Sequence, residues 1–280
     1  DLCDWNCIYH PRICLIHLLH CMDTFKSKYG PWAIVAGASE GLGAAFAEAL
    51  ARRGINLILL ARREDKLQEL KSYLISSYSI NVQTYSVDLS NFEQVEKLYT
   101  QIELPVGLLI YNAAYAPINY FEDVSAAQLE QVVQVNVKGP LLFSKLVSHK
   151  MMEQQRGGII LMSSLSGTHG SPKIATYAAS KAFNTTLAEG LWLELKQHGI
   201  DVMASVAGAI LTPGYQQAQQ KKTPGTMTSE AVAEHTLNAL GKGPVTVPGF
   251  LNKIGRWLMG RVLPAKTAIR MMNNQTKNIS

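Results

Sequence analysis

Beyond residue 21 the chain has no cysteine: all four, Cys3, Cys7, Cys14 and Cys21, fall in the opening segment. No disulfide can form within the rest of the chain, a pattern that fits a reducing compartment. The same segment holds His10, His17 and His20, but its C-x3-C-x6-C-x6-C spacing lacks the paired C-x2-C knuckles of zinc sites, so no metal is expected. Long apolar runs are missing too. The run from Ile13 to Met22 is broken by two histidines and is too short to span a bilayer. It also lacks the basic start and small-residue cleavage site of a secretory signal. With Gly 21 and Pro 11 in 280 residues, a collagen-like or low-complexity chain is excluded, and 47% hydrophobic with 17% charged residues excludes disorder as the main state. The net charge of +5 is modest and comes with no nucleic-acid-binding motif, so no nucleic acid partner is expected.

The chain opens on Asp1, whereas MDTFKSKYGPWAIVAG from Met22 reads as a protein start. Residues 1–21 are therefore expected to be a leader of vector or upstream origin. Residues 22–280 are expected to form one domain with a basic carboxyl-terminal segment at 249–280, in a cytoplasmic protein with or without peripheral membrane contact.

From Trp32 onward, short apolar runs alternate with longer amphipathic stretches, the pattern of parallel strands joined by crossover helices. Strands are expected at 32–36, 55–61, 81–87, 106–111, 158–163 and 200–206. Most are apolar throughout, as strands covered on both faces must be. Helical spacing occupies 43–53, 64–77, 91–101, 125–151 and 175–198, and Gly54 and Gly199 stand where left-handed caps would end two helices. The expected fold is α/β: a single-domain Rossmann fold whose doubly wound parallel sheet has helices on both faces.

The first strand runs into Ala36-Gly37-Ala38-Ser39-Glu40-Gly41-Leu42-Gly43 and then straight into a helix. This order presents free backbone N–H groups and a positive helix end to a pyrophosphate. Gly37, Gly41 and Gly43 would allow a tight turn, close approach of the phosphates and close packing of helix on sheet. At the end of the second strand, where an acidic residue would bind a ribose 2′-hydroxyl, stands Leu60-Ala61-Arg62-Arg63. An arginine fork suits a 2′-phosphate, so NADP is expected in preference to NAD. Arg62 is the expected phosphate ligand with Ser39 as its hydrogen-bonding partner, Arg63 is expected to be solvated, and Glu40 is an awkward charge nearby.

Tyr177 and Lys181, at i and i+4, share one face of a helix. In a chain with 11 tyrosines a lone pair of this spacing arises readily by chance. Its setting gives it weight, because Ser164 stands upstream at the carboxyl end of a strand, where open parallel sheets place their ligands. A phenol titrates near 10 and needs a neighbouring cation to exchange protons at neutral pH. Lys181 is expected to supply that cation, Tyr177 to exchange a proton with a carbonyl or alcohol oxygen, and Ser164 to hold the same oxygen.

On these motifs the chain from about Tyr29 to Thr246 resembles the short-chain dehydrogenase/reductase family. The family's T-G-x-x-x-G-x-G matches 36–43 with Ala36 in place of Thr, and its Ser, Tyr and Lys match Ser164, Tyr177 and Lys181. Its catalytic Asn, in an N-V-x-G segment, matches Asn136, which the resemblance makes a holder of a water that relays protons through Lys181. The resemblance also implies cofactor contacts at Leu42, Asp88, Leu89, Asn112, Ile210 and Thr212. Two departures stand out. N-N-A-G becomes Tyr111-Asn112-Ala113-Ala114, and the proline of P-G-x-x-x-T becomes Ala207, which frees a dihedral and leaves nicotinamide placement less assured.

The substrate is expected between the loop 165–176 and a lid from beyond Thr212 to about Ser229, with His169 a solvated loop residue. Residues 235–280 carry Lys242, Lys253, Arg256, Arg261, Lys266, Arg270 and Lys277 and no acidic side chain. The segment from Phe250 to Leu263 gathers Phe250, Ile254, Trp257 and Leu258 on one helical face, which would suit a membrane surface, an anionic acyl substrate, or packing against a subunit or the parent fold. Flanking similarity points to the branch of long-chain 3-oxoacyl and steroid ketone reductases. The implied activity is NADPH-dependent reduction of a ketone on a hydrophobic substrate, in a homodimer or homotetramer. Reduction of small carbonyl compounds, or a non-catalytic dinucleotide-binding scaffold, are the alternatives.

Overall fold

The computed structural model describes residues 24–212 and 224–276, with side chains to 273. The expected leader and residues 213–223 of the expected lid lie outside the described residues. Seven parallel strands form one sheet in the order β3-β2-β1-β4-β5-β6-β9. They are β1 (Trp32–Ala36), β2 (Asn56–Ala61), β3 (Val82–Ser86), β4 (Val106–Tyr111), β5 (Gly157–Ser164), β6 (Ile200–Ala207) and β9 (Val245–Thr246). A two-stranded ribbon pairs β7 (Ile210–Leu211) with β8 (Met227–Thr228). The order reverses beside β1, which opens a crevice at the carboxyl ends of β1 and β4.

Both faces of the sheet are covered, because alternate residues of each strand point to opposite sides. Ala33 and Val35 of β1 join the cluster containing Phe46 and Leu50 of α1 (Gly41–Arg52), Leu67 and Leu74 of α2 (Glu64–Ser77), and Leu237 of α7 (Ser229–Ala239). Trp32, Ile34 and Ala36 join the other, with Val95 of α3 (Phe92–Gln101), Phe143 and Val147 of α5 (Gly139–Gln154), and Ala188 of α6 (Ala175–Lys196). Gly54 and Gly199 take φ of 68° and 71°, the left-handed geometry expected just past α1 and α6.

The stretch 125–151 is not one regular helix. α4 (Ala126–Val132) passes through a π-helical turn, Val133–Lys138, before α5 begins. Tyr111 explains the interruption: its buried hydroxyl donates to the Val135 carbonyl at 2.7 Å, inserting a side chain into the helical ladder. The ring comes so close that a Cβ on Gly139 would lie 1.9 Å from its oxygen. Past β9 the chain forms α8 (Phe250–Trp257), a second π-helical turn (Leu258–Val262) and α9 (Ala265–Thr276).

Candidate active site

A cavity of about 640 Å³ opens along the carboxyl ends of the strands. Gly37, Ser39, Gly41, Leu42, Arg62, Asp88, Leu89, Asn112, Ser164, Tyr177, Lys181, Ile210 and Thr212 all line it. Of the expected site residues, Gly43 and Asn136 support the lining from behind.

The glycine turn has the required geometry. Gly37 takes φ 83°, and a Cβ there would meet Ala113 N at 2.7 Å; a Cβ on Gly43 would lie 1.9 Å from the Gly37 carbonyl oxygen. Asn112 Nδ2 donates to that same carbonyl at 3.0 Å, so the end of β4 holds the turn in place. Helix α1 starts on this turn with no side-chain cap and no acidic residue in its first turn. An uncapped helix start with its first N–H groups unclaimed by a cap, on the wall of a cavity, fits the pyrophosphate of a dinucleotide.

At the adenosine end the arginines differ. Arg62 is exposed on the rim. Arg63, expected to be solvated, instead pairs with Glu40 at 2.8 Å and donates to Ser39 Oγ at 3.0 Å, although its side chain remains 46% exposed. Glu40 is thus partnered, and Ser39 bonds to Arg63. Asp88 Oδ1 accepts from the backbone and side chain of Ser90 at 2.9 and 2.8 Å, which fixes the loop after β3.

At the other end, Ser164 closes β5 and faces Ala207 across the β5–β6 ladder. That ladder restrains the backbone where the family has proline, so the freedom expected at Ala207 is not realised; Ala207 is buried. The Ser164 hydroxyl accepts from Ser166 Oγ at 2.9 Å. Tyr177 is half-buried and lines the cleft. Burial raises the Tyr177 pKa above the ordinary phenol value, and a hydrogen bond with Ser164 pulls it back down. Lys181 Nζ lies 5.4 Å from the Tyr177 ring centre and donates to the Met162 carbonyl at 2.9 Å. Burial lowers its pKa to about 8. In the protein by itself the Lys181 ammonium lies beside the Tyr177 ring with its hydrogen bond directed to the Met162 carbonyl.

Asn136, in the π-helical turn, is fully buried. Its Oδ1 accepts from Tyr115 N at 2.7 Å, and its Nδ2 donates to Tyr115 O at 2.8 Å and to Ser180 Oγ at 3.0 Å. The carboxamide thereby ties the loop after β4 to the helix that carries Tyr177 and Lys181. Sequence reasoning missed Tyr115 and Gln131, which also line the cavity. It missed the Tyr111 insertion as well, for which Gly139 inside a helical stretch was the available signal. Among the described residues no cluster of metal-ligating side chains occurs.

Comparisons with known proteins agree with this geometry. The family profile of the short chain dehydrogenases matches residues 31–223. A 7β-hydroxysteroid dehydrogenase from Clostridium sardiniense is 34% identical over 236 residues, covering 82% of this chain and 89% of that protein. A very-long-chain 3-oxoacyl-CoA reductase from Podospora anserina is 30% identical over 266 residues, covering 90% and 77% respectively. The solved structure of a short-chain dehydrogenase from Sphingobium yanoikuyae in complex with NADPH superposes with a TM-score of 0.74 at 27% identity, covering 84% of this chain and 98% of that one.

Proposed function

The chain belongs to the short-chain dehydrogenase family and is an oxidoreductase, and within that family we propose that it reduces a ketone on a hydrophobic substrate with NADPH. The observation that carries this reading is the convergence of Ser164, Tyr177 and Lys181 on one cavity at the carboxyl end of β5, with Lys181 one helical turn on from Tyr177 and 5.4 Å from its ring centre. The bound nicotinamide supplies the hydride. The Tyr177 hydroxyl gives its proton to the carbonyl oxygen, and Ser164 holds that oxygen in line. A phenol raised by burial is protonated at neutral pH, which suits the donor role and hence reduction; alcohol oxidation needs the phenolate and gains as pH rises. Lys181 keeps a positive charge at the base of the cleft below about pH 8, and Asn136 acts as a positioning residue for the helix that carries both groups.

Arg62 is the proposed ligand of the cofactor's 2′-phosphate, supported by the absence of a carboxylate at the end of β2 and by the NADPH complex of the Sphingobium relative. The hydrophobic substrate class is supported by the names of the steroid and oxoacyl relatives and by the loop after β4, where Ile118, Tyr120 and Phe121 are exposed. That loop meets the loop following Ser164 through a bond from Asn119 N to Lys173 O. Self-association is proposed through α5 and α6, where Leu141 and Leu193 are exposed, and any membrane contact through the basic carboxyl-terminal segment.

The test is NADPH consumption across long-chain 3-oxoacyl thioesters, steroid ketones and short carbonyl compounds. Turnover of the first or second class, exceeding that of the short compounds, is expected. Cofactor binding without turnover across the panel would favour a scaffold instead.

A further inference from the structure

Helix α8 is folded inside out. At about 100° per residue, Phe250, Leu251, Ile254, Trp257 and Leu258 share one arc, with the exposed Lys253 at one edge and the partly buried Arg256 beyond it, near Glu189. On a soluble body such an arc packs against the core. Here it faces away, with Phe250 76%, Leu251 60% and Trp257 58% exposed. The one buried side chain of the helix is polar: Asn252, whose Nδ2 donates to the carbonyls of Pro248 at 2.9 Å and Gly225 at 3.0 Å. The segment is nevertheless anchored, since Ala268 and Met272 of α9 are buried. Arg261, Lys266 and Arg270 add further positive charge, and residues 235–280 contain no Asp or Glu.

The charges decide what covers this face. A second copy seated on the same patch would bring Lys253, Arg261, Lys266 and Arg270 of both chains together with no carboxylate of either segment between them, which opposes self-association there. An anionic lipid surface answers both features. Aromatic and aliphatic side chains enter the boundary of the acyl layer, while the flanking cations meet headgroup phosphates. We propose that residues 250–270 dock the protein on an anionic bilayer surface, with the apolar arc of α8 innermost.

The dock adjoins the cleft. His169 Nε2 lies 2.8 Å from the Met259 carbonyl oxygen, and a Cβ on Gly260 would lie 3.4 Å from Thr168 Cγ2. The surface-bound turn therefore touches the loop that follows Ser164, and a ketone dissolved in the lipid meets the cleft from its membrane side. This consequence rests on the ketone-reductase reading; the docking itself does not.

Co-flotation of the full chain with vesicles tests the proposal. Binding to mixed phosphatidylglycerol–phosphatidylcholine vesicles, weakening with salt, and no binding to pure phosphatidylcholine are expected. Phe250→Ser with Trp257→Ser, and separately Lys253→Glu with Arg261→Glu, are each expected to weaken binding by about tenfold or more, with circular-dichroism melting unchanged. If the first pair lowers the melting temperature, the charge-reversed pair decides. No flotation on the mixed vesicles, or flotation undiminished in a folded variant, overturns the proposal. So does light scattering that shows a dimer dissociated by Phe250→Ser with Trp257→Ser, because the arc would then be a subunit interface. Reduction of a water-soluble ketone without vesicles, measured alongside, separates failure of docking from failure of the catalytic reading.

Discussion

The two ends of the cleft are built from opposite materials. Arg62, Arg63 and Glu40 sit on an exposed rim, where solvent screens each interaction and an ion pair contributes little. Lys181, Asn136 and Ser166 are buried, with Ser164 and Tyr177 half-buried beside them, and there a lost partner leaves a polar group stranded. On the proposed reading, the comparison teaches that cofactor preference would shift by small steps, whereas proton transfer would rest on a few groups that fail together.

The sharpest way to break this contrast is Tyr177→Phe. It is expected to lower the rate of ketone reduction by about 10³-fold while leaving NADPH affinity, measured by fluorescence titration, within a factor of a few. Retained turnover would remove Tyr177 as the proton donor. Lys181→Met comes next, with an expected loss on the order of 10²-fold and a signature in pH. The folded-state value of Lys181, about 8, lies below its ordinary 10.5, so between those values the unfolded chain binds a proton that the folded chain has released. Stability contributed by this site therefore rises with pH across that window, by an amount on the order of 2–3 kcal/mol. The melting temperature of the parent chain should gain on Lys181→Met between pH 7.5 and 9.5, and parallel curves would contradict the buried ammonium. Reduction by the parent chain should decline above about pH 8 for the same reason.

At the rim the effects shrink. Arg62→Ala is expected to weaken NADPH about tenfold and NADH hardly at all; equal weakening would sever Arg62 from the 2′-phosphate. Smallest is Glu40→Gln. Releasing Arg63 from its 2.8 Å pair should tighten NADPH by no more than about fivefold, the range of one exposed ion pair. A change of a hundredfold would show that the two ends are not as different as their burial implies.

Much of the scaffold was legible before the coordinates. The edges of β1 and β4, and of α2, fall where the apolar runs and helical spacing put them, and the other long strands differ by a residue or so. Those elements are set by local pattern. What escaped was set by tertiary contact. The π-helical turn keeps the apolar spacing of an ordinary helix and is produced by a tyrosine from another strand. β9 has two residues and no periodicity to read. At the site, residue types and their convergence on one cavity were readable, but hydrogen-bond choices were not. Adjacent arginines look alike in sequence, and only the fold gives Arg63 to Glu40. Likewise, nothing in Tyr-x3-Lys shows that the ammonium will turn to the Met162 carbonyl.

The Tyr111 hydroxyl, lodged in the backbone of the Asn136 turn, welds the strand that delivers Asn112 to the helix beneath the loop bearing Tyr115. One jaw of the crevice is thereby pinned by side-chain hydrogen bonds at three points. Accommodation of differently shaped ligands would fall to the opposing jaw, where the short ribbon of Ile210 and Leu211 lies.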